Sequence, residues 1–298
     1  MFIGCSGWSF EDWVGRFYPV NMARKKEEWL RYYSSYFNTV EINSTFFREP
    51  DDFIVNGWIK KGSVLKDFEF SVKMPQTVTH QALINNEGEQ AGVMASSFEV
   101  RCVKPLADNG LLGATLLQLS PYFKNEERSR EALRSTLSAL DTEIYRYAVE
   151  FRHRSWFDNS SGELETRAFE LLQSLNVANV LADGPEAPVA KECSANHAYF
   201  RFHGRKREVW SDDEQEESLR LSRFDHLYTD EEIKQLAASI QVVSATRSQT
   251  RIYFSNNSRA RSARNALQLM DQLGIAHKEK DIPVDDHSTV GPFLMSKR

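Results

Sequence analysis

The chain has 298 residues, 41% of them hydrophobic and 12% aromatic, with a formal net charge of -5. That composition excludes a disordered or collagen-like chain and leaves room for one α/β barrel or two smaller domains. The negative balance gives no general attraction to nucleic acid or anionic membrane, and no apolar run reaches membrane-spanning length.

Strand-like and helix-like segments then alternate. FIGCSGW (2–8) reads as a first strand, and residues 23–37 carry aromatic and apolar positions at helical spacing. TVEINST (39–45) follows, with a helix from Pro50 and Asp51 to Lys61. FEFSVKMP (68–75) precedes a helical pattern over 92–108, and ATLLQLS (114–120) precedes an amphipathic helix over 126–140. YAVEFRH (147–153) and the helix over 162–175 form the next pair. ANVLADG (178–184) and AYFRFHG (198–204) are separated by a Pro- and Ala-rich stretch without a helix pattern. Residues 204–228 are long, charged and irregular, as a functional loop or a solvated insertion would be. A helix over 229–243 has Thr229 as its N-cap and an acidic first turn. RIYFSNN (251–257) is the eighth strand, and the helix over 258–274 ends at Gly274. Eight such units predict a single (β/α)8 barrel over 1–298, irregular between strands six and seven. A doubly wound open sheet is the alternative.

The start of the chain, MFIGCSGWSF, has no signal-peptide pattern. Cys5, Cys102 and Cys193 are scattered, odd in number and free of any C-x-x-C spacing. Neither a disulfide framework nor a zinc knuckle is indicated, and a cytoplasmic location is expected.

Barrel active sites lie at the C-terminal ends of the strands, and polar residues gather there in this sequence. Ser6 and Trp8 end the first strand, Glu41 and Asn43 the second, Lys73 the third and Gln118 the fourth. Glu150, Arg152 and His153 end the fifth, with Trp156 just beyond; Asp183 ends the sixth, Arg201 and His203 the seventh, and Asn257 the eighth. Side chains alternate faces along a strand. Glu150 therefore shares a face with Arg152, and Arg201 with His203, while Phe200 and Phe202 take the other face.

Together these blocks resemble the YecE-like family, domain of unknown function 72. The matching stretches are GCSGWSFEDWVGRFYP (4–19), FNTVEINSTFF (37–47), FSVKMP with TH at 79–80, LLQLSP (116–121), VEFRHRSWF (149–157), AD (182–183), YFRFHG (199–204) and YFSNN followed by ARNAL. The resemblance implies a TIM-like barrel and no particular reaction. Phe47 stands where Tyr is common in that family, Ser120 where Pro is common, and Ser258-Arg259-Ala260-Arg261 replaces a Gly-containing turn. Two arginines there could substitute by charge for a backbone anion nest.

The leading functional expectation is an enzyme acting on a small phosphorylated or carboxylated substrate by acid–base hydrolysis or isomerisation. Glu150 and His203 would exchange protons, with Glu41 and Asp183 orienting them. Lys73, Arg152 and Arg201 would hold the anion, and Ser6, Trp8, Asn43, Gln118, His153, Trp156 and Asn257 would complete the substrate site. An imine-forming role for Lys73 ranks below anion binding. A salt-bridged structural cluster is an equally weighted reading of the same charges. No cofactor is expected; a divalent metal on Glu41, Glu150, Asp183 and His203 ranks below anion binding, because neighbouring cations oppose it. A small molecule is the expected partner, with no membrane. The second reading is a non-catalytic adaptor that binds a metabolite or, more weakly indicated, nucleic acid through HGRKR (203–207) and the five arginines between 247 and 264; the third is a metal-dependent phosphoesterase or isomerase on the same four residues. The aromatic cluster Trp8, Trp13, Phe17 and Tyr18 is either a core patch or a stacking wall.

Overall fold

Short runs of β-branched and aromatic residues flanked by polar turns build eight strands, and their spacing leaves room for a covering segment after most of them. The computed structural model describes residues 1–184, 191–205 and 225–284. The strands are β1 (Phe2–Cys5), β2 (Thr39–Ile42), β3 (Glu69–Lys73), β4 (Leu112–Gln118), β5 (Tyr147–Glu150), β6 (Ala178–Asp183), β7 (His197–Phe202) and β8 (Gln249–Phe254). Each pairs in parallel with the next and β8 pairs with β1, which closes the barrel. The helices are α1 (Trp29–Tyr33), α2 (Ser44–Phe47), α3 (Asp52–Gly62), α4 (Gly88–Phe98), α5 (Lys104–Asp108), α6 (Glu127–Ser138), α7 (Thr166–Ser174), α8 (Asp230–Ser244) and α9 (Arg261–Gln272). Among the described residues no helix is long and apolar enough to cross a membrane.

The predicted strands run one to three residues too far at their C-terminal ends, where the chain turns out of the ladder to form the mouth. Two helices also differ from expectation. Only Trp29–Tyr33 of 23–37 is α-helical, preceded by 3-10 turns at Val20–Met22 and Lys26–Glu28. The aromatic residues there serve a cluster: Trp13, Phe17 and Tyr18 are buried, and Tyr18 stacks on Trp29 at 4.8 Å. The core-patch reading of that cluster is the one found, with Trp8 half-buried at its edge. The predicted 92–108 helix is broken by a π-turn at Glu99–Val103. Pro105, which has no N–H to give to the carbonyl four residues earlier, lies just beyond. The β6–β7 link has no helix among its described residues, in line with the expected irregularity; 185–190 lie outside them. Asn179 and Ser194 tie this link together, side chain to backbone in both directions at 2.8 Å.

The outer face of the barrel is aliphatic and aromatic, with Val40, Ile42, Phe70, Val72, Phe200, Phe202, Ile252 and Phe254 all buried under the helices. The inner face is polar along much of its height. Low in the barrel Arg251 grips Glu69 in a bidentate pair at 2.7 and 2.9 Å. Above it the Tyr253 hydroxyl sits 2.7 Å from both Thr39 Oγ1 and Ser71 Oγ. His197, beside Arg251, is fully buried, and neither ring nitrogen has a partner among the described residues. Burial, with the Arg251 and Arg146 charges, pushes it down to about 3, so it stays neutral.

Two glycines test the packing in opposite directions. A Cβ on Gly88, at the start of α4, would lie 2.6 Å from Ala132 Cα and 2.8 Å from its carbonyl oxygen in α6. Gly57, inside α3, has nothing within 4 Å. Gly88→Ala is expected to cost about 1–3 kcal/mol by forcing two helices apart. Gly57→Ala should gain about 0.5–1 kcal/mol from helix propensity alone. Urea unfolding of both variants checks the two signs.

Candidate functional site

Strand parity builds the site. Glu41, Glu150 and Arg201 are inward-facing residues of β2, β5 and β7, all buried. Arg201 Nη2 donates to Glu41 Oε1 at 2.8 Å, and Nη1 donates to Glu150 Oε2. One guanidinium thus bridges two carboxylates. The remaining oxygens are also occupied. Glu41 Oε1 accepts from Ser6 Oγ at 2.5 Å and Oε2 from Tyr199 OH at 2.7 Å. Glu150 Oε1 accepts from Gln118 Nε2 at 3.0 Å and His203 Nε2 at 3.1 Å. Arg152 Nε lies 4.0 Å from the same oxygen, with its side chain 22% exposed.

Electrostatics follow from this geometry. Burial alone would raise Glu150, but Arg201, His203 and Arg152 hold it well below the usual carboxylate range. Arg201, which burial would lower, is instead raised by Glu150 and Glu41. Burial keeps His203 low against the pull of Glu150, so the ring is neutral at pH 7. A carboxylate only accepts, so Nε2 carries the proton. Lys73 is 7% exposed. Burial and Arg201 bring it down to about 7, against Glu41 and Glu150. His80 is brought down to about 4 by burial, Lys73 and Arg152.

Two clefts lie away from this network, one beside Arg259, Arg261 and Ile282 and one beside Glu99 and Leu140.

The family model described as "Protein of unknown function DUF72" matches residues 2–288. The chain belongs to the DUF72 family. It is 30% identical over 224 residues to the UPF0759 protein YecE of Escherichia coli, covering 68% of this chain and 74% of that protein. A DUF72 family protein from Thermotoga maritima superposes with a TM-score of 0.78 at 30% identity, over 92% of this chain and 98% of the other. A DUF72 family protein from Enterococcus faecalis has the same fold, with a TM-score of 0.76 at 22% identity over 96% and 99%.

In this DUF72 chain the predicted set divides. Ser6, Glu41, Gln118, Glu150, Arg152, Arg201 and His203 converge on one network. Lys73 joins it electrostatically, and Asn257 joins through Nδ2, which donates to the Ser6 carbonyl at 2.8 Å. Asn43 ends β2 half-buried at the mouth.

Asp183 corrects the expected proton-transfer set. It is in register with Phe202 rather than with Arg201, so it faces outward. There it is gripped by Arg205 Nε at 2.9 Å and by Tyr228 OH at 2.8 Å. The four-residue metal set is therefore not assembled, and Arg201 stands between Glu41 and Glu150; among the described residues no group of three or more His, Cys, Asp or Glu is placed to hold a metal ion. Trp156 is fully buried against Phe123 and Phe151, with its indole N–H on the Phe123 carbonyl at 2.7 Å, so it braces the loop rather than lining a substrate site. His153 caps the turn at Arg154–Trp156, its Nδ1 accepting from Ser155 N at 3.1 Å. Trp8 reaches the aromatic cluster, its carbonyl accepting from Tyr18 OH. The two arginines after β8, which the sequence offers as a charge substitute for a backbone anion nest, meet the protein's own acids: Arg259 N–H donates to Asp12 at 2.7 Å, and Arg261 pairs with Asp225 at 2.9 Å. Arg259 and Ala260 both adopt the left-handed conformation that a glycine would take without strain. Of HGRKR, Lys206 and Arg207 lie outside the described residues, as does most of the 204–228 loop.

Sequence reasoning missed Tyr199, Ser255, Thr45 and Phe46. Parity was a usable signal for Tyr199, two residues before Arg201 on the same inward face of β7, whereas Ser255, whose Oγ donates to Ser6 Oγ at 3.0 Å, lies just past the end of β8. Thr45 and Phe46 carried none, because they sit on α2 beyond the strand.

Two variants should move stability in opposite directions. Arg201→Met strands two buried carboxylates and should cost about 3–5 kcal/mol at pH 7.5 by urea unfolding. That loss should shrink toward pH 5 as the stranded groups take up protons. In the parent, the lowered Glu150 contributes stability that is full above about pH 4.3 and fades as pH falls. Lys73 has the reverse sign. The unfolded state holds its proton up to about pH 10.4 and the folded state only to about 7, so parental stability rises between these values. Lys73→Met removes that slope, so it should be more stable than the parent at pH 6, with the gap closing toward pH 10.

Proposed function

We propose that the barrel mouth binds a small carboxylated or phosphorylated metabolite and processes it by acid–base chemistry. The observation that carries this reading is the placement of two cations, Arg152 and Lys73, over a carboxylate pair already committed to Arg201. The charges below the mouth are locked together, and the Arg152 side chain, near Glu150, is 22% exposed.

The roles shift from those expected of the sequence alone. Glu150 is held ionised by its donors, so it serves as an anchor that fixes the His203 ring through Nε2. A neutral imidazole oriented by a carboxylate is suited to moving a proton near pH 7. Gln118 and Ser6 keep the carboxylates in place. Three free, buried cysteines support a reducing, cytoplasmic setting. The partner in this reading is a small molecule, and Arg261, paired with Asp225, offers little free charge to nucleic acid.

The test is a thermal-shift and calorimetry panel of carboxylated and phosphorylated metabolites. At least one should raise the melting temperature, and Arg152→Ala should weaken its binding by about tenfold or more. For a ligand that turns over, His203→Ala should lose about 100-fold or more in kcat with binding retained. A panel without a binder, or an Arg152→Ala variant that binds as tightly as the parent, sinks the proposal. Binding without turnover would leave a metabolite sensor on the same cations.

A further inference from the structure

Lys73 ends β3 on the inward face set by Glu69 and Ser71. Thr45 pins its main chain from both sides: Oγ1 accepts from Lys73 N at 3.1 Å and donates to Lys73 O at 2.6 Å. The ammonium has a much less definite place. Its Nζ lies 3.9 Å from the centroid of the Phe46 ring. No hydrogen bond or ion pair engages it among the described residues, because Arg201 already holds the nearby carboxylates. A buried structural lysine donates its protons to acceptors; this one faces a ring. His80 flanks the same ring nearly edge-on, at 4.8 Å and 83°, with Nδ1 on Thr79 Oγ1 at 2.9 Å. A backbone fixed on both sides, an amine without an acceptor, and a neighbouring imidazole make a poor brace and a well-placed nucleophile.

We propose that Lys73 is a nucleophile that forms an imine with a small 2-oxo carboxylic acid whose carboxylate is held by Arg152. This deepens the anion-binding reading and rests on it. The neutral amine attacks the carbonyl carbon, forming a C–N bond, and the C=O π pair moves to oxygen, which takes up a proton. The nitrogen loses a proton to solvent or His80. The resulting hydroxyl is then protonated and leaves as water when the nitrogen lone pair forms C=N. The sum is amine plus carbonyl plus one proton giving protonated imine plus water, with no oxidant or reductant. The step needs an unprotonated amine, and burial beside Arg201 supplies one near neutrality. Arg201, Arg152, Glu41, Glu150 and His80 are the charged or titratable groups that set this balance.

The experiment is borohydride trapping of the full chain at pH 7.5 with pyruvate and with glyoxylate, read by intact mass and peptide mapping. Lactate and glycolate, which lack the carbonyl, are run beside them for binding by thermal shift. One adduct per chain on Lys73 is expected, absent from Lys73→Met that keeps the parental circular dichroism, and reduced about tenfold or more in Arg152→Ala. No Lys73 adduct with either oxo acid overturns the inference. So does labelling spread over exposed lysines and unchanged in Lys73→Met. Pyruvate and lactate raising the melting temperature alike, without an adduct, sink the imine and leave the anion site standing. If no acid binds and Arg152→Ala changes nothing, both fail.

Discussion

One guanidinium shared between two buried carboxylates is the constraint on which the upper half of this barrel depends. Arg201 ties β7 to β2 through Glu41 and to β5 through Glu150, so three strands are cross-braced through the interior. The arrangement is costly to assemble, since each ion loses its water, and only near-complete pairing offsets that loss. The oxygens of both glutamates are accordingly filled by Ser6, Tyr199, Gln118 and His203. Removing any one partner leaves the others stranded, which ties local chemistry to global stability.

The bracing has a consequence for chemistry. A carboxylate held by a guanidinium and two further donors is a poor proton acceptor, so Glu150 is fixed as an anion and the titrating groups move outward to His203 and Lys73. Barrel interiors are commonly packed with branched aliphatic side chains. Here a polar column runs downward from Glu41 through the Tyr199 hydroxyl, with the Tyr199 and Tyr253 rings in contact at 5.1 Å, to the Arg251–Glu69 pair. The aliphatic packing lies between the strands and the helices, so the barrel wall carries the hydrophobic core and its lumen carries the charge.

Much of this was legible before any fold was known. Phe200 and Phe202 alternate with Arg201 and His203, and that alternation alone assigns the faces of β7. Asp183 shows where the reasoning stops. Being a polar residue at a strand end suggested the mouth, yet its register with Phe202 sends it outward to Arg205 and Tyr228. Strand-end position and strand face are separate facts. Trp156 misled for a related reason: proximity in sequence to Arg152 says nothing about whether an indole meets solvent or, as here, Phe123.

The sequence by itself determined the alternation of strands and helices, the family, and the inward placement of Glu41, Glu150, Arg201 and His203, because period-two patterning and local turn chemistry are written residue by residue. Only the tertiary structure decided which of those charges meet. Glu41 and Arg201 are 160 positions apart in the chain, and their contact exists because eight strands close a ring. The same closure decided that Lys73, an ordinary lysine in sequence, is an amine buried beside Arg201 and facing the Phe46 ring. Burial and the distance between charges set a group's protonation, and both are properties of the folded ring rather than of the string of residues.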